Sequence, residues 1–305
     1  MPVMRSILLQ LSKNRAATRA ARRYGLRMGA ERFVAGETLE AALKKVRELN
    51  GLGLMATLDH LGEFVSGAEE ASAAAEEIVQ ALETIQATDV DANVSVKLTQ
   101  LGLDLSYELC KDNMRSIVAK AKQLGNFIRI DMEDYARNEP AIAMFKELRA
   151  EFGRHVGIVL QAYLYKTESD MDRLHSFAPN YRLVKGAYQE PPDIAFPFKA
   201  DVDRNFVHII EKQLQSAHYA AIATHDEQII EHVKAYTANL DIPVTQFEFQ
   251  MLYGIRSQLQ QQLAGEGYAV RVYVPYGTDW YGYFMRRLAE RPENLNFVLK
   301  SMFKR

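Results

Sequence analysis

Val270-Arg-Val-Tyr-Val-Pro-Tyr-Gly-Thr-Asp-Trp-Tyr-Gly-Tyr-Phe-Met-Arg-Arg-Leu-Ala-Glu290 is one complete strand-and-helix unit. Val270, Val272 and Val274 alternate with Arg271 and Tyr273, a β-branched pattern of period two that predicts a strand. Pro275 and Gly277 end it. Thr278 or Asp279 then caps a helix carrying Tyr283, Arg286, Arg287 and Glu290. Tyr283 and Arg287 are four residues apart, as are Arg286 and Glu290, so each pair shares a helix face. Two adjacent arginines just past a strand form a candidate clamp for a carboxylate or phosphate, because each guanidinium offers a planar fork of donors. The plainer alternative is a solvated helix face with a local Arg286–Glu290 ion pair.

The same unit recurs along the chain. Apolar runs that end in a polar residue occur at Leu52–Asp59, Asn93–Thr99, Phe127–Glu133, Val156–Tyr163, Tyr181–Gly186, Ala220–Thr224 and Val244–Gln250. Helical patterns lie between them at Ala68–Ala87, Tyr107–Leu124, Ala141–Phe152, Glu168–Phe177, Asp201–Ala217, Asp226–Tyr236 and Gly254–Leu263. Eight strand–helix units with right-handed crossovers predict an α/β fold, a (β/α)8 barrel of the TIM type. A doubly wound open sheet is the structural alternative, but the even pacing without a composition break argues against it. The predicted organisation is an N-terminal helical segment, residues 1–50, packed on a barrel of residues 51–305.

Composition bounds the class. The chain has 305 residues, of which 48% are hydrophobic and 25% charged, as in an ordinary globular protein. A formal net charge of −2 gives no hint of a nucleic-acid partner. Cys110 is the only cysteine, so an intrachain disulfide and a cysteine-based zinc site are excluded. No apolar run approaches the ~20 residues of a membrane span, which predicts a cytoplasmic or peripheral protein. Residues 1–37 carry eight basic residues against Glu31 and Glu37. That pattern fits a transit peptide or basic amphipathic helices, and the lack of a small-residue cleavage signal favours helices.

Active sites of such barrels lie at the C-terminal ends of the strands. The residues there are Asp59, Lys97, Asp131, Gln161, Arg182 with Lys185, Thr224 with His225, Gln250 and Tyr273. Lys97, Asp131, Arg182, Lys185, Arg286 and Arg287 on one rim predict a cationic mouth, suited to a carboxylate substrate, a phosphate-bearing cofactor or both. Gly51-Leu-Gly-Leu-Met-Ala has the spacing of a dinucleotide fingerprint, but it precedes its strand and leaves a phosphate no helix N-terminus. Asp59-His60 and His225-Asp226 lack the further ligands of a hydrolytic metal site, so no metal is expected.

Several of these segments, in order, resemble the proline dehydrogenase family. They are Asp59-x-x-Gly62-Glu63, Val94-Ser-Val-Lys97, Ile130-Asp131-Met-Glu133, Leu160-Gln161-Ala-Tyr, Arg182-Leu-Val-Lys-Gly-Ala-Tyr188, Ala223-Thr224-His225, Phe249-Gln250-Met-Leu-Tyr-Gly254, Tyr273-x-Pro and Tyr283-x-x-Arg286-Arg287-x-x-Glu290. Arg32-Phe-Val-Ala-Gly-Glu-Thr-Leu39 is similar to the short monofunctional bacterial form, which favours N-terminal helices over a transit peptide. The resemblance implies a distorted barrel with extra N-terminal helices that binds FAD and oxidises L-proline to Δ1-pyrroline-5-carboxylate. It also implies a membrane quinone as electron acceptor and a possible peripheral contact with the membrane.

Residue by residue, the resemblance implies that Lys97, Arg286 and Arg287 clamp the proline carboxylate, with Tyr273 and Tyr283 walling its ring. Asp131 would hold the Tyr273 and arginine cluster, and Arg182 would lie near flavin N5. Met132, Gln161, Val184, Lys185, Gly186, Ala187, Thr224 and His225 would complete the cofactor site. Glu63 resembles a gate that pairs with Arg286. Two other readings remain open at this point. One is a Schiff-base aldolase-like barrel with Lys97 or Lys185 as nucleophile. The other is a non-catalytic barrel that binds an anion.

Overall fold

The computed structural model describes residues 29–62 and 65–290. Eight parallel strands close a barrel in sequence order. They are β1 (Met55–His60), β2 (Ala92–Val96), β3 (Ile128–Ile130), β4 (Val156–Gln161), β5 (Tyr181–Val184), β6 (Ala220–Ala223), β7 (Phe247–Leu252) and β8 (Val270–Tyr276). The barrel shuts where β8 pairs with β1, in the register Thr57↔Tyr273 and Asp59↔Pro275.

Helix α1 (Leu39–Asn50) precedes β1. One helix follows each strand: α2 (Ala68–Thr88), α3 (Tyr107–Gln123), α4 (Asn138–Phe152), α5 (Thr167–Leu174), α6 (Lys199–Gln215), α7 (Glu227–Asn239), α8 (Ser257–Gly265) and α9 (Trp280–Glu290). Thr38 caps α1, its Oγ1 accepting from Ala41 N at 3.3 Å. Ser106 and Asp226 cap α3 and α7 in the same way.

Each unit of the expected alternation is present, and the closed sheet excludes the open alternative. The boundaries differ where proline intervenes. The run expected from Val244 forms a 3-10 turn over Val244–Gln246, and β7 begins at Phe247. Pro243 has no N–H to give a strand ladder, which suits a turn there. The expected basic helices before residue 29 lie outside the described residues. No helix among the described residues is long and apolar enough to cross a membrane.

Strand side chains alternate between the helix layer and the lumen. Toward the helices point Leu58, Val94, Val96, Ile128, Ile130, Ile158, Leu160, Leu183, Ile222, Phe249, Val272 and Val274, all buried in one apolar cluster. Each such side chain contributes about 1.5–3 kcal/mol on burial. The lumen set is different: Thr57 and Asp59, Asn93 and Ser95, Arg129, Gln161, Arg182, Glu248 and Gln250, Arg271 and Tyr273. Barrel interiors are ordinarily filled by branched apolar residues, so this polar lumen marks the chain as built for more than packing.

A second apolar cluster ties the N-terminal segment to the mouth. Ala30, Phe33 and Val34 pack with Leu61, Ile255, Trp280, Phe284 and Leu288. The backbone reinforces this, with Ala35 N donating to Pro275 O and Gly277 N to Gly36 O. Trp280 Nε1 donates to Glu37 Oε1 at 3.0 Å. Helix α9 is therefore set over the end of β8 by residues far away in sequence.

Candidate active site

The site is organised around Asp131, the first residue after β3. Its Oδ1 accepts from Arg182 Nη1 at 2.6 Å and its Oδ2 from the Tyr273 hydroxyl at 2.8 Å. Lys97 Nζ stands 3.9 Å from Oδ2. One carboxylate therefore gathers residues from β5 and β8 and from the end of β2. Arg182 lies in the middle of β5 and Tyr273 in the middle of β8, so both reach the site from inside the lumen. The Arg182 guanidinium also lies over the Tyr273 ring, 5.2 Å from its centroid. Burial pushes the Tyr273 phenol well above its usual pKa, reinforced by the Asp131 and Asp59 charges. The hydroxyl therefore stays protonated and keeps donating to Asp131.

Lys97 is held by Asp59, whose two oxygens accept from Nζ at 2.8 and 2.9 Å. Asp59 is buried, so the ammonium is held in a fixed position. Lys185 is flanked by Asp203 at 2.6 Å and Asp226 at 2.9 Å. The cationic mouth expected from the sequence is thus corrected: Lys97, Arg182 and Lys185 each have a carboxylate partner. The charges are arranged in pairs on a polar wall. Arg286 and Arg287 stand half-buried on α9, and Arg287 covers the Tyr283 ring at 5.0 Å, which accounts for their spacing of four.

Gln161, at the end of β4, donates through Nε2 to Met132 O at 3.0 Å and Glu133 O at 2.8 Å. Glu133 is fixed by Thr99, which donates through Oγ1 at 2.6 Å and through N at 3.1 Å. The Met132 thioether accepts from Asn138 on α4, so this side chain turns to the helix layer. Val184 closes β5, and Gly186 and Ala187 follow at the exposed rim. Gly186 has φ +104°, and a Cβ there would lie 2.1 Å from Cδ1 of Tyr163. Thr224 Oγ1 accepts from Asp226 N, and His225 Nε2 accepts from Leu252 N at 3.0 Å. Glu63, the expected gate, and the Glu290 side chain lie outside the described residues.

Two buried polar atoms at this mouth lack a partner among the described residues: Gln161 Oε1, an acceptor, and Arg182 Nη2, a donor. The edge of an isoalloxazine ring offers both acceptors and a donor, so the residues present fit a flavin.

The sequence reading gave no role to several residues that build this site. Asp59 and Gln250 appear there as strand-end residues and in the resembling segments, with no role in the site. Ser95 accepts from Arg182 Nη1 at 2.9 Å, and Gln250 Oε1 accepts from Arg182 Nε at 2.5 Å. Glu248, Arg271 and Arg129 lie deeper. Burial pushes the Arg129 guanidinium down to about 9, helped by repulsion from Arg182. Polar residues at period two within otherwise apolar strands were the signal that could have found them.

The sequence pattern of the proline dehydrogenase family matches residues 42–300. The chain belongs to the proline dehydrogenase family. It is similar to proline dehydrogenase 1 of Bacillus subtilis subsp. natto, 48% identical over 303 residues that cover 99% of this chain and 100% of that protein. It is also similar to the proline dehydrogenase of Deinococcus radiodurans, 46% identical over 279 residues and 90% of each chain. Among solved structures it resembles proline utilization A from Bdellovibrio bacteriovorus inactivated by N-propargylglycine, with a TM-score of 0.81 and 27% identity. The match covers 88% of this chain and 33% of that longer one. The chain is thus an oxidoreductase that oxidises proline in proline catabolism, and proline dehydrogenases are flavin-dependent. This sets aside the anion-binding barrel and the aldolase-like barrel. The latter also conflicts with the geometry, since carboxylates engage the amines of both lysines.

Proposed function

We propose that the cofactor is FAD, held at the mouth of the lumen, and that L-proline is oxidised there to Δ1-pyrroline-5-carboxylate with a quinone as the next electron acceptor. The observation that carries this reading is the convergence of Arg182, Asp131, Tyr273, Lys97 and Gln161, with an orphaned acceptor and donor on Gln161 and Arg182.

The reaction removes two electrons and two protons across the N–C5 bond of proline. Bound flavin supplies the two-electron acceptor. The chain's own residues orient the substrate and hold charge. Lys97, Arg286 and Arg287 clamp the carboxylate, so that binding at one end of proline aims C5 at the other. Tyr273 and Tyr283 wall the ring. Asp131 fixes Tyr273 and Arg182 together. Arg182 would lie beside the flavin and lend its positive charge to the reduced form. Gln161, Val184 and Met132 line the ring site, the last through its carbonyl. Lys185, Gly186, Ala187, Thr224 and His225 line the rest of the cofactor site, where Lys185 would exchange a carboxylate partner for a phosphate. Glu63 would be the gate, as the resemblance to the family implies.

The organisation that goes with this is residues 1–50 as a segment packed on the barrel of residues 51–305, in a cytoplasmic protein with peripheral membrane contact. Heat release of the cofactor followed by chromatography tests the first point: FAD is expected, and FMN would overturn it. Reduction of a short-chain quinone by the proline-reduced protein tests the second, and no transfer would overturn it. Sedimentation with anionic vesicles tests the membrane contact, and no co-sedimentation would end it.

A further inference from the structure

A chain of hydrogen bonds continues below the active site toward the floor of the lumen. Glu248 on β7 is buried and accepts from Arg271 Nε at 3.1 and 3.0 Å and from the Tyr219 hydroxyl at 3.0 Å. Gln250, two residues on and also in the lumen, donates through Nε2 to Glu248 Oε1. Its other end, Oε1, accepts from Arg182 Nε at 2.5 Å.

The polarity of this chain is forced. An amide donates from its nitrogen and accepts at its oxygen, a carboxylate only accepts and a guanidinium only donates. Turning the Gln250 amide over would set N–H against N–H at Arg182 and oxygen against oxygen at Glu248. Both clashes would be between buried groups, where unpaired polar atoms are most costly. This polarity holds while Glu248 is ionised. Burial alone would push its carboxyl up, but the Arg271 charge, the Gln250 hydrogen bond and the Arg129 charge together hold it below its ordinary range.

We infer that Glu248 is a positioning residue for proline oxidation: by fixing the Gln250 amide, it fixes Arg182 Nε and so the direction in which the guanidinium faces the flavin. This rests on the placement of Arg182 at the flavin proposed above. The competing account makes Glu248 a counter-charge only, offsetting Arg271 and Arg129 at the floor. The two accounts separate at Gln250, because Gln250→Leu cuts the relay and leaves the Glu248–Arg271 pair intact.

The test compares flavin-loaded wild type, Gln250→Leu and Glu248→Gln by the reduction potential of the bound flavin, by kcat and KM for L-proline, and by thermal unfolding. A freed Arg182 stabilises the reduced flavin less, so the potential should move negative in both variants, further in Gln250→Leu. In that variant kcat should fall about tenfold while KM stays within about twofold, the pattern of lost aim and not lost binding. Glu248→Gln should also unfold at lower temperature, since Arg271 loses its partner. Wild-type potential and kcat in a folded Gln250→Leu protein would overturn the relay and leave the counter-charge account. Should Gln250→Leu fail to accumulate, Gln250→Met carries the same comparison. A wild type whose flavin does not respond to proline would overturn the underlying reading and the relay with it. A responsive wild type with unchanged variants overturns the relay alone.

Discussion

Replacing Asp131 by asparagine removes one charge and almost no volume, yet it strikes the group that joins β5, β8 and the end of β2. Asp131 accepts from Arg182 at 2.6 Å and from Tyr273 at 2.8 Å. An amide has one acceptor end, so one of these donors would face an N–H, and the buried Arg182 charge would lose its counter-ion. Breaking a buried pair by removing one partner costs about 3–5 kcal/mol. The lower figure applies, because the Asp131 side chain keeps 14% of its exposure while Arg182 keeps 5%. Unfolding entropy of about 2.1 cal/mol/K per residue turns about 3 kcal/mol into a Tm fall of about 5 °C for a chain of this length. Displacing Arg182 and Tyr273 should also lower kcat/KM about a hundredfold, as for other misplaced groups at a reacting centre. Calorimetry of the flavin-loaded protein and steady-state kinetics read the two effects. A variant with Tm within about 1 °C of wild type and unchanged kcat/KM would refute the role given to Asp131.

Three further expectations concern other parts of the chain. Arg287→Met removes a charge-assisted bond worth about 1.5–3 kcal/mol, so KM for proline should rise about 10- to 150-fold while the flavin stays bound; an unchanged KM would sink the clamp. Gly186→Ala forces φ +104° on a residue with a Cβ, which costs about 1–3 kcal/mol before the Tyr163 ring has moved. The flavin-to-protein absorbance ratio after gel filtration should fall, and full retention would show that the loop adapts. The Arg173 and Lys166 hydrogen bonds hold the Glu139 carboxyl at about 2, below its usual 4.5. A lowered folded value adds stability above pH 4.5 that is lost as pH falls toward 2. The stability difference between wild type and Glu139→Gln, measured by urea unfolding, should therefore shrink across that window; a pH-independent difference would argue against the assignment.

The barrel was legible because the strands keep their apolar period and several helices carry a side-chain cap, as at Thr38, Ser106 and Asp226. Local rules suffice there. The site was legible only in part. Lys97 and Asp131 sit just past strand ends, where the barrel rule directs attention. Glu248, Arg271 and Ser95 lie within strands, and period two cannot say which face is the lumen until the sheet is closed. Charge was misleading for a related reason. Six ionisable residues on one rim suggested an electropositive mouth, whereas Asp59, Asp203 and Asp226 partner the lysines from elements distant in sequence. Spacing also could not reveal that the packing of Phe33 and Val34 against Trp280 and Phe284 would set the position of α9.

An absorption spectrum of the purified protein, taken before and after anaerobic addition of L-proline, tests the central claim most directly. The account predicts flavin bands that bleach when proline is added. Bands that persist, or a colourless protein that cannot be reconstituted with FAD, would contradict it.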